Sequence, residues 1–457
     1  MKGEEGMRNR CWLSLALCLL CCLACCALAE EEPLLYAAPG LFENGKTITW
    51  RDIGVQQGAV LPVYSAPDVT SWRGASGRAA VSTNERFTLL CVSRNRQWCL
   101  IEYSISRRER RVGWIQASPE ETDDADVEAF TGDHFLLRTT SAAALTDDPL
   151  SSGREIRRLE AGEEVIGLCL EGAWAYVETT VEGKTAWGFV PVSVLERVPM
   201  YHLEGTLLVV EEGVSWLGSC YALDRWDSES EALIPAMDSP PFGTVALQLP
   251  DLALEEMEPV TEIRLPSSLR VIGVEALCHL SLQRLELPEG LERTMEDAGY
   301  ALNIGTLAVP AGCVDISGLP GAYGAVARYE VAEESRVYSS RDGVLFNRDG
   351  SVLIAYPMGR TEAHYDVPAG TKEIADCAFY SNDMRCRLKS ISLPLGLERI
   401  GRLAFSGCGR LLSLVVPLTV TELAEDAFTN CVSLGQLSLP EGLRAAGVGS
   451  WAIAPDY

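Results

Sequence analysis

The sequence predicts a mainly β protein in which two small barrels are followed by a solenoid of stacked coils. Three observations carry that reading. Pro394, Pro417 and Pro440 recur 23 residues apart and Pro266, Pro288 and Pro310 recur 22 apart, a period that suits one solenoid coil. From Ile391 to Leu439 one apolar pattern is written twice. Upstream, short alternating segments rich in aromatic and β-branched residues lie between turn signals over 47–118 and again over 128–198.

Composition narrows the function before any motif does. Against 38 basic residues stand 64 acidic ones, a net charge of -26 over 457 residues, which argues against an electropositive surface for nucleic acid. With 47% apolar and 22% charged residues the chain is expected to fold. Lys2, Arg8 and Arg10 precede an uncharged run from Cys11 to Leu28, and Ala27-Leu28-Ala29 offers a small-residue cleavage site, so residues 1–29 read as a signal peptide. The protein is therefore expected to be secreted or held at the cell surface. The same run is near the lower length of a membrane span, so an uncleaved N-terminal anchor is the alternative and the sole expected membrane contact. Cys25 makes a poor lipobox, because Cys22 stands where a leucine is usual. Beyond this segment only Cys91 and Cys99 have a spacing that could bridge two strands of a hairpin, and a pair of buried thiols fits equally well.

In the first barrel region the strands are expected at L-P-V-Y-S-A-P, R-F-T-L-L-C-V, Q-W-C-L-I-E-Y and R-R-V-G-W-I. Residues 119–127 read as an acidic linker, after which the order returns as F-L-L-R-T-T-S, E-E-V-I-G-L-C-L, A-W-A-Y-V-E and T-A-W-G-F-V-P. The Q-W-C or A-W-A strand followed by a closing G-W-I or G-F-V strand resembles bacterial SH3-like domains. That resemblance implies wall peptides or glycans as ligands, or a spacer role. Tyr64, Trp98 and Trp114, with Trp174, Tyr176 and Phe189, are the residues a wall-ligand groove would use; tryptophans in so small a barrel serve equally as core.

Residues 199–260 are expected to cap the solenoid, whose first apolar face needs cover. The acidic loop holding Asp224, Asp227, Glu229 and Glu231 lacks the turn glycine of a calcium loop and reads as solvated. The coils then fill 261–448, before a short tail at 449–457. In each coil a three-residue alternating strand ends at a proline, and Ala404-Phe405 and Ala427-Phe428 follow the proline at a fixed distance. The small residue lets coils approach and the ring fills the axis. Cys408 and Cys431 share one phase and read as stacked buried thiols, with a metal pair or a disulfide as the alternatives. Residues 336–357 interrupt the repeat as a hairpin turning at Asn347-Arg348-Asp349-Gly350, either a structural insertion or a contact point.

The motif L-x-L-P-x-G-L-x-x-I-G-x-x-A-F-x-x-C-x-x-L resembles the BspA-like leucine-rich repeats of bacterial surface proteins. The resemblance covers about Glu262 to Val448; it is weaker where Leu277 replaces the phenylalanine and between Leu291 and Leu302. It implies a surface protein with an adhesion-type role. Outward positions of the strands, counted from the buried leucines, make a candidate partner-binding face: Glu262, Arg264, Arg284 and Glu286 in the first coils, then Ser390, Ser392, Ser413, Gln436 and Ser438 in the last. The expected partner is an extracellular protein or glycan, with peptidoglycan a further candidate.

No catalytic signature accompanies these features. His134, His202, His279 and His364 each stand alone in their segment, and phosphate loops and nucleophile elbows are missing. No cofactor, metal or catalytic residue is assigned. The expected function is a non-enzymatic, exported binding protein; the alternatives are an accessory or targeting subunit of a wall-processing enzyme and a hydrolase with an unrecognised site.

Overall fold

The computed structural model describes residues 45–443, except 85, 94, 108, 119–128, 131, 133, 150–153, 219–224, 228–231, 235–242, 248, 250–259, 275, 296–297, 320–323, 382–385 and 442. For 225–227 and 232–234 it describes backbone alone. The signal segment, the acidic linker, Asp224, Glu229, Glu231 and the tail thus fall outside the described residues. Strands dominate; among the described residues the helical pieces are single turns at Trp50–Ile53 and Val192–Val194, and Gly74–Gly77 is a turn in which Ala75 and Ser76 have left-handed φ of 55° and 54°. No described helix is long and apolar enough to cross a membrane.

Contacts divide the chain into two compact units, 1–132 with 137–197 and 133–136 with 198–457. In the first, a four-stranded sheet runs in the order Lys46–Ile48, Phe87–Val92, Trp98–Ser104, Arg110–Gln116. A seven-stranded sheet takes in the strands between Phe135 and Arg197. The two closing strands share one device. A Cβ on Gly113 would sit 2.4 Å from a Val63 methyl, and one on Gly188 would sit 2.8 Å from the Thr146 carbonyl. At each place another strand crosses close over the glycine, pairing Tyr64 with Trp114 and Thr146 with Phe189. The G-W-I and G-F-V signatures therefore mark a chain crossing that only glycine accommodates.

The two regions where the sequence predicts barrels fall in one unit and share packing. Strands Phe87–Val92 and Trp98–Ser104 are buried at nearly every residue and not at alternate ones. One face holds Phe87, Leu89, Val92, Cys99, Ile101 and Ile115. The other presents Trp114, whose ring lies edge-on to Phe130 and Trp187 at 6.0 and 5.9 Å, with Tyr176 completing the cluster. A sheet covered on both sides loses the alternation that marks a half-exposed strand. The register also settles the Cys91 and Cys99 question. Cys99 stands opposite Val92 and Cys91 opposite Leu100, so the thiols leave on opposite faces, and both are free.

In the second unit the coils each contribute one strand to a front sheet, and most add a two-residue strand to a back row, as at Val271–Ile272, Arg293–Thr294, Arg399–Ile400 and Glu422–Leu423. The front sheet begins with the antiparallel hairpin Tyr201–Glu204 and Leu207–Val210 and continues in parallel through Glu262–Arg264, Ser281–Glu286, Asn303–Val309 and Ala325–Val331. A later front sheet is parallel throughout, through His364–Asp366, Ser390–Ser392, Ser413–Val415 and Gln436–Ser438. Leucines and isoleucines of the middle positions face inward, among them Ile263, Leu285, Leu307, Ile391 and Leu414. The fixed Ala-Phe pair builds the axis: rings of Tyr356, Phe379, Phe405 and Phe428 stack at 5.1, 5.0 and 5.3 Å. That interval is about the rung spacing of a sheet. Even the weak coils keep the geometry. The Leu277 N–H donates to the Ala298 carbonyl as the Phe405 N–H does to Ala427, with Gly299 in the ring's place.

The 336–357 interruption differs from a single hairpin. It is a three-strand meander, Tyr338–Arg341, Val344–Asn347 and Val352–Ala355, whose last strand pairs in parallel with Glu373–Ile374 and starts the later back row. Its extra turn is Asp342-Gly343, with φ of 51° and 79°, the left-handed pair that a two-residue hairpin loop needs.

Candidate binding face of the coils

A residue on a three-residue strand points outward when its neighbours are buried, and the front strands show that pattern without exception at Glu262–Arg264 and His364–Asp366. All nine residues proposed for the face lie on front strands and point away from the core: Glu262, Arg264, Arg284, Glu286, Ser390, Ser392, Ser413, Gln436 and Ser438. Parallel register aligns them in columns. Glu262, Arg284, Thr306 and Arg328 are neighbours in one, and His364, Ser390, Ser413 and Gln436 in the other.

The two columns differ in chemistry. In the early sheet, Arg284 donates to Glu286 and to Glu330, each at 2.7 Å, and Arg328 lies 3.4 Å from Glu330. Each exposed pair is worth about 0–1 kcal/mol. The Arg284 hydrogen bond holds the Glu330 carboxyl below the usual carboxylate range. In the later sheet the charges move to the back row, where Arg399 pairs with Glu373, Asp376 and Glu422. The front there is made of hydroxyls around one imidazole.

That imidazole is His364. Its Nε2 lies 2.9 Å from Asp366 Oδ1 and its Nδ1 lies 2.7 Å from Ser390 Oγ, with Ser392 Oγ 3.4 Å from Nε2. When Nε2–H donates to Asp366, Nδ1 is left to accept the Ser390 hydroxyl. Hydrogen bonds from Ser392 and His364 hold the Asp366 carboxyl low. Sequence reasoning missed His364 and Asp366. The signal was present: H-Y-D-V-P at 364–368 has the form of S-I-S-L-P at 390–394, set off by a coil longer than 23 residues. Apolar side chains border this face. Val415, 68% exposed, sits on the front strand Ser413–Val415 opposite Ser438, and Leu395 and Leu418, 88% and 85% exposed, follow the front strands of two consecutive coils.

The six aromatics proposed for a wall-ligand groove are placed otherwise. Trp98, Trp114, Tyr176 and Phe189 are buried, Trp114 completely, which corrects the expectation of an open groove made by all six. Their rings are core: Tyr176 stacks on its cross-strand partner Phe189 at 4.6 Å, and Trp114 Nε1–H donates to the Tyr176 hydroxyl at 3.2 Å. Tyr64 is half-buried, edge-on to Trp98 and under the Arg73 guanidinium. Trp174 is half-buried at the start of its own strand. A pocket does lie here, lined by Tyr64, Trp72, Arg111, Asp147, Tyr176 and Trp187. Burial raises the Asp147 carboxyl pKa, with Arg111 at 3.2 Å opposing the shift. Trp72 and Trp187 were not singled out by sequence, because nothing local says that distant turns converge on them.

Among the described residues no group of three or more histidine, cysteine or acidic side chains is placed to hold a metal. The second unit is a leucine-rich β-solenoid of about seven turns. A family described as BspA type leucine rich repeat region matches it in six copies, over residues 248–318 and 363–452. No match is found among curated proteins. Solved structures with likeness to the chain include a leucine-rich repeat protein of Eubacterium ventriosum, at 16% identity over 51% of this chain and 73% of that one, TM-score 0.30. The pneumococcal vaccine antigen PcpA is 18% identical over 60% of this chain and 81% of its own, TM-score 0.33. A leucine-rich cell surface protein of Faecalibacterium prausnitzii is 15% identical over 62% and 97%, TM-score 0.29.

Proposed function

We propose that this is an exported, non-enzymatic surface protein whose later front sheet binds an extracellular protein or glycan. The observation that carries the proposal is the aligned, outward-facing ladder of His364 and Gln436, which are exposed, with Ser390 and Ser413, which are half-buried, beside the exposed Asp366, Ser392 and Ser438. Hydroxyl, amide and imidazole groups at one rung spacing offer repeated donors and acceptors to a polymer, and the neighbouring aliphatics add apolar contact. The early sheet pairs its charges internally, so it has less to offer. In this reading the first unit is two SH3-like halves that engage the envelope, and the pocket near Tyr64 and Trp72 is where a wall peptide would be tested first.

The test is binding of the whole chain to immobilised glycans and matrix proteins, compared with a variant carrying Ser390→Ala, Ser392→Ala, Ser413→Ala and Gln436→Ala. Loss of binding with unchanged melting supports the face, and unchanged binding refutes it. One observation favours a second reading, a hydrolase: the Ser390–His364–Asp366 chain has the order of a nucleophile, a base and its orienting acid. Against it, the His364 side chain is 49% exposed, where water weakens such a relay. Turnover of an activated ester that disappears in His364→Ala would establish this second reading in place of the first.

A further inference from the structure

We propose that the pocket of the first unit takes the acetamido group of an N-acetylated sugar, which names a ligand for the envelope reading of that unit and rests on it. Buried Tyr176, Trp187 and Phe189 line the pocket together with half-buried Tyr64 and Trp72. Trp72 is pinned from both sides of its backbone: its N–H donates to the Thr185 carbonyl at 2.8 Å and its carbonyl accepts from the Ser65 N–H at 3.0 Å. The site is therefore formed before any ligand arrives.

Two of its lining residues have donors to spare. Tyr103 and Arg111 stand opposite each other on paired strands, so their side chains share one face. Arg111 gives one N–H to Asp147 Oδ2 at 3.2 Å, and among the described residues the rest of its five donors have no acceptor. The Tyr103 hydroxyl likewise makes no hydrogen bond among the described residues, although the residue is only 7% exposed. Burial pushes that hydroxyl up to about 12, so it keeps its proton and can donate. Asp147, by contrast, is engaged at both oxygens: Oδ1 accepts the Arg154 N–H at 3.0 Å and Oδ2 accepts from Arg111. What the pocket lacks is an acceptor.

Charge and size select the acceptor. Arg111 and Asp147 cancel as a pair, and a carboxylate arriving beside Asp147 would meet like charge on a chain of net charge -26, so a neutral carbonyl is favoured. The pocket spans about 430 Å³ with its open mouth, but its enclosed room for the centres of water-sized groups is about 30 Å³. That admits about two or three such groups, the size of an acetyl and far less than a sugar ring. The acetyl oxygen would accept from Arg111 and Tyr103, and its methyl would meet the buried rings. The sugar ring would stay at the mouth, its C–H face against half-buried Tyr64 and Trp72.

The full-length chain is titrated with the methyl glycoside of N-acetylglucosamine, with that of glucose, which has a hydroxyl in place of the acetamido group, and with acetate. Tryptophan fluorescence gives the affinities, and saturation-transfer NMR gives the part of the sugar in contact. The acetylated sugar should bind at least about tenfold more tightly than the glucoside, with the strongest saturation at the acetyl methyl. Tyr103→Phe keeps the ring and should weaken it by about three- to tenfold at unchanged Tm, the loss of one hydrogen bond. Arg111→Gln should abolish binding; because Arg111 also holds Asp147, Tyr103→Phe decides where that variant does not fold. Equal affinity for the two sugars, tighter binding of acetate, or full affinity in Tyr103→Phe would each overturn the proposal. Retention of the chain on purified cell walls is measured alongside. Walls bound without the sugar overturns the pocket assignment and supports the envelope reading, whereas sugar bound without walls supports the pocket and overturns that reading.

Discussion

The early and later coils of the solenoid obey one backbone plan and fill it differently. In the early coils Leu277 and Gly299 stand where the later ones have Phe405 and Phe428, and the early front carries an ion-pair network where the later front carries hydroxyls. The later coils thus carry their cohesion in a buried stack of rings, and their outer face carries hydroxyls and an amide beside the hydrogen-bonded His364 and Asp366. The early coils spend front-face charge on one another. Rung position sets which residues can be displayed, whereas the residues chosen decide whether display or cohesion is served.

Breaking the ring stack should have the largest effect. Phe405 is fully buried between two rings, and Phe405→Ala should cost about 3–5 kcal/mol in denaturant unfolding, with the later coils losing amide protection first. Retained stability would mean that the rings do not hold the axis.

Next comes acid, which should act on the other end of the second unit. His134 is buried, with Nδ1 unpaired, and its carbonyl accepts from the Ala246 N–H at 2.7 Å. Burial pushes its pKa from 6.5 down to about 4, against a backbone bond with Thr244. The unfolded chain then binds more protons between those values, so the stabilisation is full above pH 6.5 and is lost as pH falls toward 4. The loss is on the order of 3 kcal/mol. His134→Asn suits the left-handed φ of 52° and should flatten that pH dependence. Hydrogen exchange should show the early coils loosening before the ring-stacked ones.

Smaller effects should follow on the two fronts. Arg284→Ala removes the centre of an exposed network and should cost no more than about 1 kcal/mol, falling further in high salt. Ser413→Ala with Gln436→Ala should change stability by less than about 0.5 kcal/mol. A larger loss from that pair would mean that the later face is structural after all.

Much of the solenoid was legible in the sequence, for a physical reason. A coil cannot bury its own apolar row, so the row, the proline that ends the strand and the Ala-Phe pair recur at one period, and the outward residues follow by counting. The later face was read one rung short, because the longer coil between Pro368 and Pro394 broke the 23-residue count and hid His364 and Asp366. In the first unit local patterns gave the strands and the crossing glycines. They did not reveal that Trp114, Phe130, Tyr176 and Trp187 share one core, since contacts between turns far apart in sequence leave no periodic mark. The same distance effect made Trp98 and Phe189 look like groove residues.

Surface plasmon resonance against immobilised glycans and matrix proteins shows whether the later front sheet is the binding face. The wild-type chain should bind at least one of them, and the four-alanine variant at Ser390, Ser392, Ser413 and Gln436 should lose about tenfold or more in affinity at unchanged Tm. Equal affinity of the two chains, or no binding by the wild type, would show that the later front sheet is not the binding face.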